Sequence, residues 1–128
     1  MWKVELALSR IIGVWPAWMR PPYGNYNDLV RSASAVRNQS LVLWDFDSED
    51  STGASASQSE ALYDQLANDH PNNVIALNHE TYQTTAEQVL PHAIQALKAK
   101  GYTFATVAEC LGLPAYHGTL APGTKDVS

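Results

Sequence analysis

Residues 41–50 read LVLWDFDSED, and this stretch indicates the fold class. Its first four residues are apolar without a break, which is typical of a short strand that is covered on both faces, as in a parallel sheet. The six residues that follow carry four acidic side chains. Because sites in α/β folds lie at the carboxyl ends of the strands, carboxylates directly after a buried strand are candidates for chemistry.

The segments on either side of this stretch repeat the alternation of strand and helix. Residues 15–20, 74–77 and 102–107 are rich in β-branched, aromatic or other apolar side chains and predict three further strands. Apolar residues at helical spacing lie between them. This order predicts an α/β protein with parallel strands, and the four strands of the sequence are too few to close an α/β barrel.

The composition is that of a single globular domain and argues against two classes of partner. The chain has 128 residues, of which 45% are hydrophobic and 16% are charged. Its net charge of -5 argues against nucleic acid and against an anionic membrane. No apolar run reaches the roughly 18 residues that a membrane span needs, and the first residues are amphipathic, unlike a secretory signal peptide. The single cysteine, Cys110, is expected to be a small buried residue or to have its partner outside this chain.

Three predicted strand ends carry the polar residues from which a site is built. The first strand ends at Arg20, and the third is followed by His79. The second is followed by three aspartates, Asp45, Asp47 and Asp50. Adjacent parallel strands would bring an arginine, carboxylates and a histidine together, and these are the components of an acid–base site. The aspartates suit turns equally well, so both interpretations stay open on this pattern alone.

Other polar side chains carry weaker signals. The acidic spacing that begins at Asp45 suggests a calcium loop, but the glycine at the sixth position and the glutamate at the twelfth are absent. The remaining histidines are expected to be solvated side chains: His70, His92 and His117.

Three motifs occur in a fixed order along the chain. They are RPPYG at residues 20–24, WDFDSED at residues 44–50 and LNH at residues 77–79. Their order closely resembles the third, fourth and fifth motifs of the NodB-type polysaccharide deacetylases, carbohydrate esterase family 4, and especially the fungal chitin deacetylases. The resemblance covers residues 1–113, and residues 114–128 are expected to form an irregular tail. It implies the C-terminal portion of a distorted (β/α) barrel whose first strands are missing.

Six residues match positions that this family uses. By resemblance, His79 protonates the departing amine, and Asp50 orients His79 and favours its protonated form. Arg20 would orient the catalytic base, and the backbone N–H of Tyr23 would help to hold the oxyanion. Two further residues would line the substrate site: Leu77, beside the acetyl methyl group, and Trp44, whose place on an apolar strand favours the core.

Two of the family's motifs have no counterpart in this sequence. The aspartate pair that supplies the base and one metal ligand is absent, and so is the His-x-x-x-His pair that supplies the other two ligands. Ser51 also stands where the fourth motif usually ends in tryptophan. The resemblance implies zinc or cobalt in the full-length relatives, where the metal activates a water molecule, but no metal held by this chain.

The resulting hypothesis is a metal-dependent hydrolase that removes N-acetyl groups from chitin or a related polysaccharide, with this chain inactive alone. The resemblance implies a secreted or cell-wall protein, although this chain carries no signal peptide. An open barrel edge would favour self-association. Two alternatives stay open: a non-catalytic carbohydrate-binding or assembly module of the same fold, and an unrelated α/β interaction domain.

Overall fold

The computed structural model describes residues 1–123, so residues 124–128 of the expected tail lie outside the described part. Contacts group the chain into two compact units, which are residues 44–104 and the segments on either side of them. The helices are α1 Trp2–Ile11, α2 Asp28–Val36, α3 Ala56–Asp69, α4 Leu90–Ala99 and α5 Val107–Leu111. The strands are β1 Val14–Pro16, β2 Trp18–Met19, β3 Ser40–Leu41, β4 Phe46–Asp47, β5 Ala76–Leu77 and β6 Tyr116–Thr119.

The outer unit, named for its place along the sequence, contains residues 1–43 and, of the described residues, 105–123. Strand β2 pairs in parallel with β3, and β1 pairs antiparallel with β6. The expectation of an irregular tail is therefore wrong for residues 116–119, which form β6. Gly13 shows why the tail approaches so closely: its φ is 71°, and a Cβ added there would lie 2.1 Å from the carbonyl oxygen of Leu120.

Helix α1 packs in the outer unit with its polar side inward. Glu5 and Ser9 are buried, and Glu5 forms an ion pair with Arg37 at the end of α2. Of the apolar residues at helical spacing, Val4 and Ile11 are more than half exposed, at 61% and 69%, whereas Leu8 is partly buried. The spacing thus predicted the helix but not the face that is buried.

The central unit, residues 44–104, holds the main core. Strands β4 and β5 pair in parallel, with Phe46 opposite Ala76 and Asp47 opposite Leu77. Helices α3 and α4 pack against each other, and a wide π-helical turn, Thr85–Val89, leads into α4. The buried cluster consists of apolar residues from these helices and the turn: Tyr63, Ala67, Val89, Ala93 and Leu97.

The mixed α/β class is confirmed, but the strands are shorter than the sequence predicts and form three separate pairs among the described residues. The predicted strand at residues 102–107 is wrong. Thr106 and Glu109 form a reciprocal capping box, and helix α5 begins directly after Thr106. The hydroxyl of Tyr102 donates to the carbonyl of Pro71, so this aromatic ring anchors a loop instead of a sheet.

The exposure of Cys110 and the character of the helices bear on two expectations from composition. Cys110 is exposed, so the expectation of a buried cysteine is wrong, because only one face of the five-residue helix α5 is covered. Within residues 1–123, no helix combines the length and the apolar character that crossing a membrane requires.

Candidate functional site

The loops that follow β4 and β5 meet in the central unit. Because these two strands are parallel and adjacent, their carboxyl ends lie side by side. Oδ1 of Asp50, from the first loop, lies 2.7 Å from Nδ1 of His79, from the second. Oδ2 of the same carboxylate accepts the backbone N–H of His79 at 2.6 Å. The structure thus holds Asp50 and His79 together through both carboxylate oxygens.

Buried hydroxyl groups fix the loop that carries Asp50. Ser48 is fully buried, and its Oγ donates to the carbonyl of Leu77 at 2.9 Å. The Oγ of Ser59, on α3, donates to the carbonyl of Ser48 at 2.7 Å. Glu49 has a left-handed backbone with φ 59°, and its N–H donates to Oδ1 of Asp47 at 2.8 Å. These bonds attach the loop to β5 and to α3, so the position of Asp50 is set by the fold.

The three aspartates have different functions in the structure. Oδ1 of Asp45 accepts the backbone N–H of Ile75 at 2.7 Å. This bond links the segments that directly precede β4 and β5. Asp47 stabilises the turn at Glu49. Only Asp50 binds a side chain of another candidate residue. The turn interpretation therefore fits Asp47, whereas the site interpretation fits Asp50.

Asp50 is a buried carboxylate with three hydrogen-bond donors. Its side chain is 3% exposed, and Oδ2 also accepts the hydroxyl of Thr85 at 3.0 Å. Burial by itself raises the pKa of this carboxyl, but the side-chain and backbone hydrogen bonds from His79 and the hydroxyl of Thr85 together hold it below its ordinary value of 3.8. Asp50 is therefore ionised at neutral pH.

His79 presents one ring nitrogen to the protein and leaves the other available. An ionised carboxylate can only accept, so Nδ1, which faces Asp50, carries a proton. Nε2 makes no hydrogen bond to any residue between 1 and 123, and the side chain is 37% exposed. The ring of Tyr82 stands edge-on to the imidazole, with 6.0 Å between the ring centroids. Nε2 is thus the atom through which this pair can exchange a proton.

Sequence reasoning missed two residues beside this pair, Tyr63 and Thr85. The hydroxyl of Tyr63, on α3, accepts a hydrogen bond from Nδ2 of Asn78 at 2.7 Å. Burial raises the pKa of Tyr63, and the negative charges of Asp50 and Asp47 raise it further against the effect of that hydrogen bond. Tyr63 therefore stays neutral. No sequence motif identifies either residue, because both lie in helical segments whose apolar spacing predicts only a buried helix face.

Arg20 and Tyr23 lie in the outer unit, where they follow β2. Arg20 is exposed and borders a cleft of about 500 Å³, together with Trp18 and Pro22. Tyr23 has a φ of 58°, and its side chain is 92% exposed. A left-handed backbone is strained in a bulky residue, and such residues cluster at functional sites. This conformation supports a special role for the backbone of Tyr23.

The two remaining candidates are half-buried. The other histidines form hydrogen bonds to other residues. Leu77 is half-buried in β5, and its carbonyl accepts from Ser48. Trp44 is half-buried directly before the loop of Asp50. The other histidines each have a hydrogen-bond partner: His70 with the carbonyl of Lys100, His92 with Asp64 and His117 with Asn38.

The described residues do not fit a metal centre of the kind that the family implies. Across residues 1–123, no three or more His, Cys, Asp or Glu side chains come together as a metal site would require. Both oxygens of Asp50 are occupied by protein donors, so within the Asp50–His79 pair only Nε2 of His79 is available as a ligand. A catalytic zinc takes three protein ligands.

Comparison with known proteins gives consistent relatives. No family model matches the chain. A chitin deacetylase of Pestalotiopsis sp is 33% identical over an alignment of 117 residues, and the match covers 88% of this chain and 38% of that protein. The peptidoglycan-N-acetylglucosamine deacetylase of Bacillus cereus is 32% identical over an alignment of 108 residues, and the match covers 82% of this chain and 38% of that protein.

The same relationship holds for the fold. The chitin deacetylase from the fungal pathogen Colletotrichum lindemuthianum matches with a TM-score of 0.80 at 27% identity, over 89% of this chain and 53% of that chain. The chain thus spans about half of this solved structure and 38% of each of the two relatives named above. Because sequence and fold agree over most of its length, the resemblance of this chain to the NodB-type polysaccharide deacetylases, carbohydrate esterase family 4, is confirmed.

Proposed function

We propose that this chain is part of a hydrolase that removes N-acetyl groups from the amino sugars of a polysaccharide, with chitin or its oligomers as substrate. The observation that carries the proposal is the Asp50–His79 pair at the ends of two adjacent parallel strands. The similarity to deacetylases of chitin and of peptidoglycan supports the same substrate class.

The pair has the properties of a proton donor for the departing amine. Asp50 is ionised, and its charge lies against Nδ1 of His79, so it stabilises the doubly protonated imidazole. Nε2 then offers its proton outward, and amide cleavage requires a proton on the leaving nitrogen. Because Asp50 has three donors, the imidazole keeps its orientation while the proton is transferred.

The remaining assignments are part of the same proposal. Arg20 orients the catalytic base, Tyr23 contributes its backbone N–H to the oxyanion, and Leu77 and Trp44 line the substrate site. The zinc or cobalt of a complete deacetylase supplies the activated water. Residues outside the described set must hold it, so we expect the 128-residue chain to be inactive alone. The partial deacetylase domain comprises residues 1–113 together with strand β6, which pairs with β1, and the whole protein acts in the cell wall or after secretion.

The test is acetate release from chitin oligomers in the presence of zinc or cobalt. The 128-residue chain and the longest polypeptide that its gene encodes are compared. We expect release only from the longer polypeptide, and His79→Asn should abolish it there, whereas His92→Asn, a matched change on the surface of α4, should not. Release by the chain alone, or full activity of the His79→Asn variant, would contradict the proposal.

A second candidate is a non-catalytic carbohydrate-binding module. It is favoured by one observation, the absence of a metal-ligand cluster among residues 1–123. If neither polypeptide releases acetate but both bind chitin oligomers in a calorimetric titration, this second function replaces the first.

A further inference from the structure

Thr85 begins the π-helical turn that leads into α4. Its side chain is 1% exposed, and its hydroxyl donates to Oδ2 of Asp50 at 3.0 Å. The turn closes with the N–H of Leu90 bonded to the carbonyl of Thr85, five residues earlier. Such turns are rare and are frequent at functional sites.

We propose that Thr85 is a positioning residue for the Asp50–His79 pair: its buried hydroxyl holds Oδ2 of Asp50 and thereby keeps Oδ1 directed at Nδ1 of His79. This inference rests on the proposed function only for the role of His79 as proton donor. The geometry of the carboxylate is independent of that role.

The two oxygens of Asp50 have different numbers of hydrogen-bond donors, because the hydroxyl of Thr85 adds a second donor at Oδ2. Oδ1 has one donor, the imidazole, whereas Oδ2 has two, the backbone N–H of His79 and the hydroxyl of Thr85. A rotation of the carboxylate breaks all three bonds at a place that water scarcely reaches, since the side chain is 3% exposed. Unsatisfied buried donors are costly, so the three bonds select one orientation.

The hydroxyl of Thr85 is directed at Asp50 rather than at its own helix. In a regular helix, a threonine hydroxyl commonly bonds to a carbonyl three or four residues earlier on its own helix. Here the hydroxyl of Thr85 donates across to the loop after β4. Pro91 lies two residues after the turn, and its ring has no N–H and would clash with the carbonyl four residues earlier in a regular helix. Val89, which is 1% exposed in the main core, fixes the other end of the turn.

The titratable groups around Asp50 come from several elements. His79 contacts it from the loop after β5, and Tyr63, on α3, is affected by the charges of both Asp50 and Asp47. Tyr82 faces the imidazole from the same loop as His79. Tyr63 is buried and neutral. A change at Thr85 therefore acts directly on Asp50 and, through Asp50, on His79.

The test compares Thr85→Val with Thr85→Ser in the whole 128-residue chain, without substrate or metal. Valine keeps the shape and loses the hydroxyl, whereas serine keeps the hydroxyl and loses a methyl group. Carboxyl ¹³C NMR follows the titration of Asp50, and ¹⁵N NMR follows the Nδ1–H signal of His79. We expect Thr85→Val to raise the pKa of Asp50 and to shift or broaden the Nδ1–H signal, and Thr85→Ser to retain both.

Two results would overturn the inference. Either Thr85→Val leaves the titration of Asp50 unchanged, or both variants change it equally, which would indicate a packing role alone. If Thr85→Val does not fold, the unmodified chain still decides the matter, because a hydroxyl proton that is held by a buried carboxylate exchanges slowly. A Thr85 hydroxyl signal with a contact to Asp50 is expected, and its absence contradicts the inference. Failure of the acetate assay changes none of these outcomes.

Discussion

Replacing Asp50 with asparagine keeps the shape of the side chain and removes its charge. Asparagine has one acceptor oxygen and one donor nitrogen. The two donors at Oδ2, the N–H of His79 and the hydroxyl of Thr85, select the amide oxygen for that position. The amide NH₂ then faces Nδ1 of His79, which must become an acceptor. We therefore expect Asp50→Asn to move the imidazole proton from Nδ1 to Nε2.

The magnitude follows from the three hydrogen bonds of the carboxylate. Hydrogen bonds to a charged group contribute about 1 kcal/mol more than neutral ones, so three bonds predict a loss of about 2–3 kcal/mol in the free energy of unfolding at pH 7. For a chain of this size, the loss lowers Tm by roughly 10 °C. Asp45→Asn is the matched control, because Asp45 is exposed and its amide oxygen still accepts from Ile75.

The loss should also depend on pH with a definite sign. The pKa of Asp50 is lowered in the folded chain, so its ionised form stabilises the fold at every pH above the unfolded value of 3.8. This contribution is lost as the pH falls below about 4 and through the lower folded pKa. The wild-type chain and Asp50→Asn should therefore converge in stability under acid conditions.

Urea unfolding of both chains between pH 7 and pH 3, with ¹⁵N NMR of the imidazole at pH 7, measures these effects. A loss at pH 7 no larger than that of Asp45→Asn would refute the reasoning. So would a gap between the two chains that stays constant down to pH 3, because the gap would then have no connection with the charge of Asp50.

Three further predictions concern metal, loop and surface. After dialysis against zinc or cobalt, the chain should retain no stoichiometric metal by mass spectrometry, because no three metal-binding side chains come together within residues 1–123; one equivalent per chain would contradict this. Ser48→Ala should cost about 1 kcal/mol of unfolding free energy in urea, since Ser48 is buried and donates to Leu77, whereas exposed Ser51→Ala should cost nothing measurable. Light scattering after size-exclusion chromatography should show self-association that weakens in Ile11→Lys, because Ile11 is 69% exposed; a monomer at all concentrations would contradict it.

The sequence predicted the Asp50–His79 pair better than it predicted the sheet. Each residue follows a short apolar run, and the parallel pairing of β4 with β5 is sufficient to place the two loops side by side. The strand lengths were overestimated because β-branched and aromatic runs report burial as well as strand structure. At residues 102–107, the capping signal of Thr106 and Glu109 overrides that composition and starts a helix.

The support around the pair could not have been predicted, and the reason is physical. Apolar spacing predicts which positions are helical, but it does not show that the hydroxyl of Thr85 reaches Asp50. Nor does it show the π-helical turn that begins at Thr85, which ends at the buried Val89 shortly before Pro91. The burial of Glu5 rather than Val4 in α1 could not be predicted either, because Glu5 forms an ion pair with Arg37, which is distant in sequence. Local patterns therefore identify the reacting groups, whereas the groups that orient them are set by contacts that form only when the elements pack.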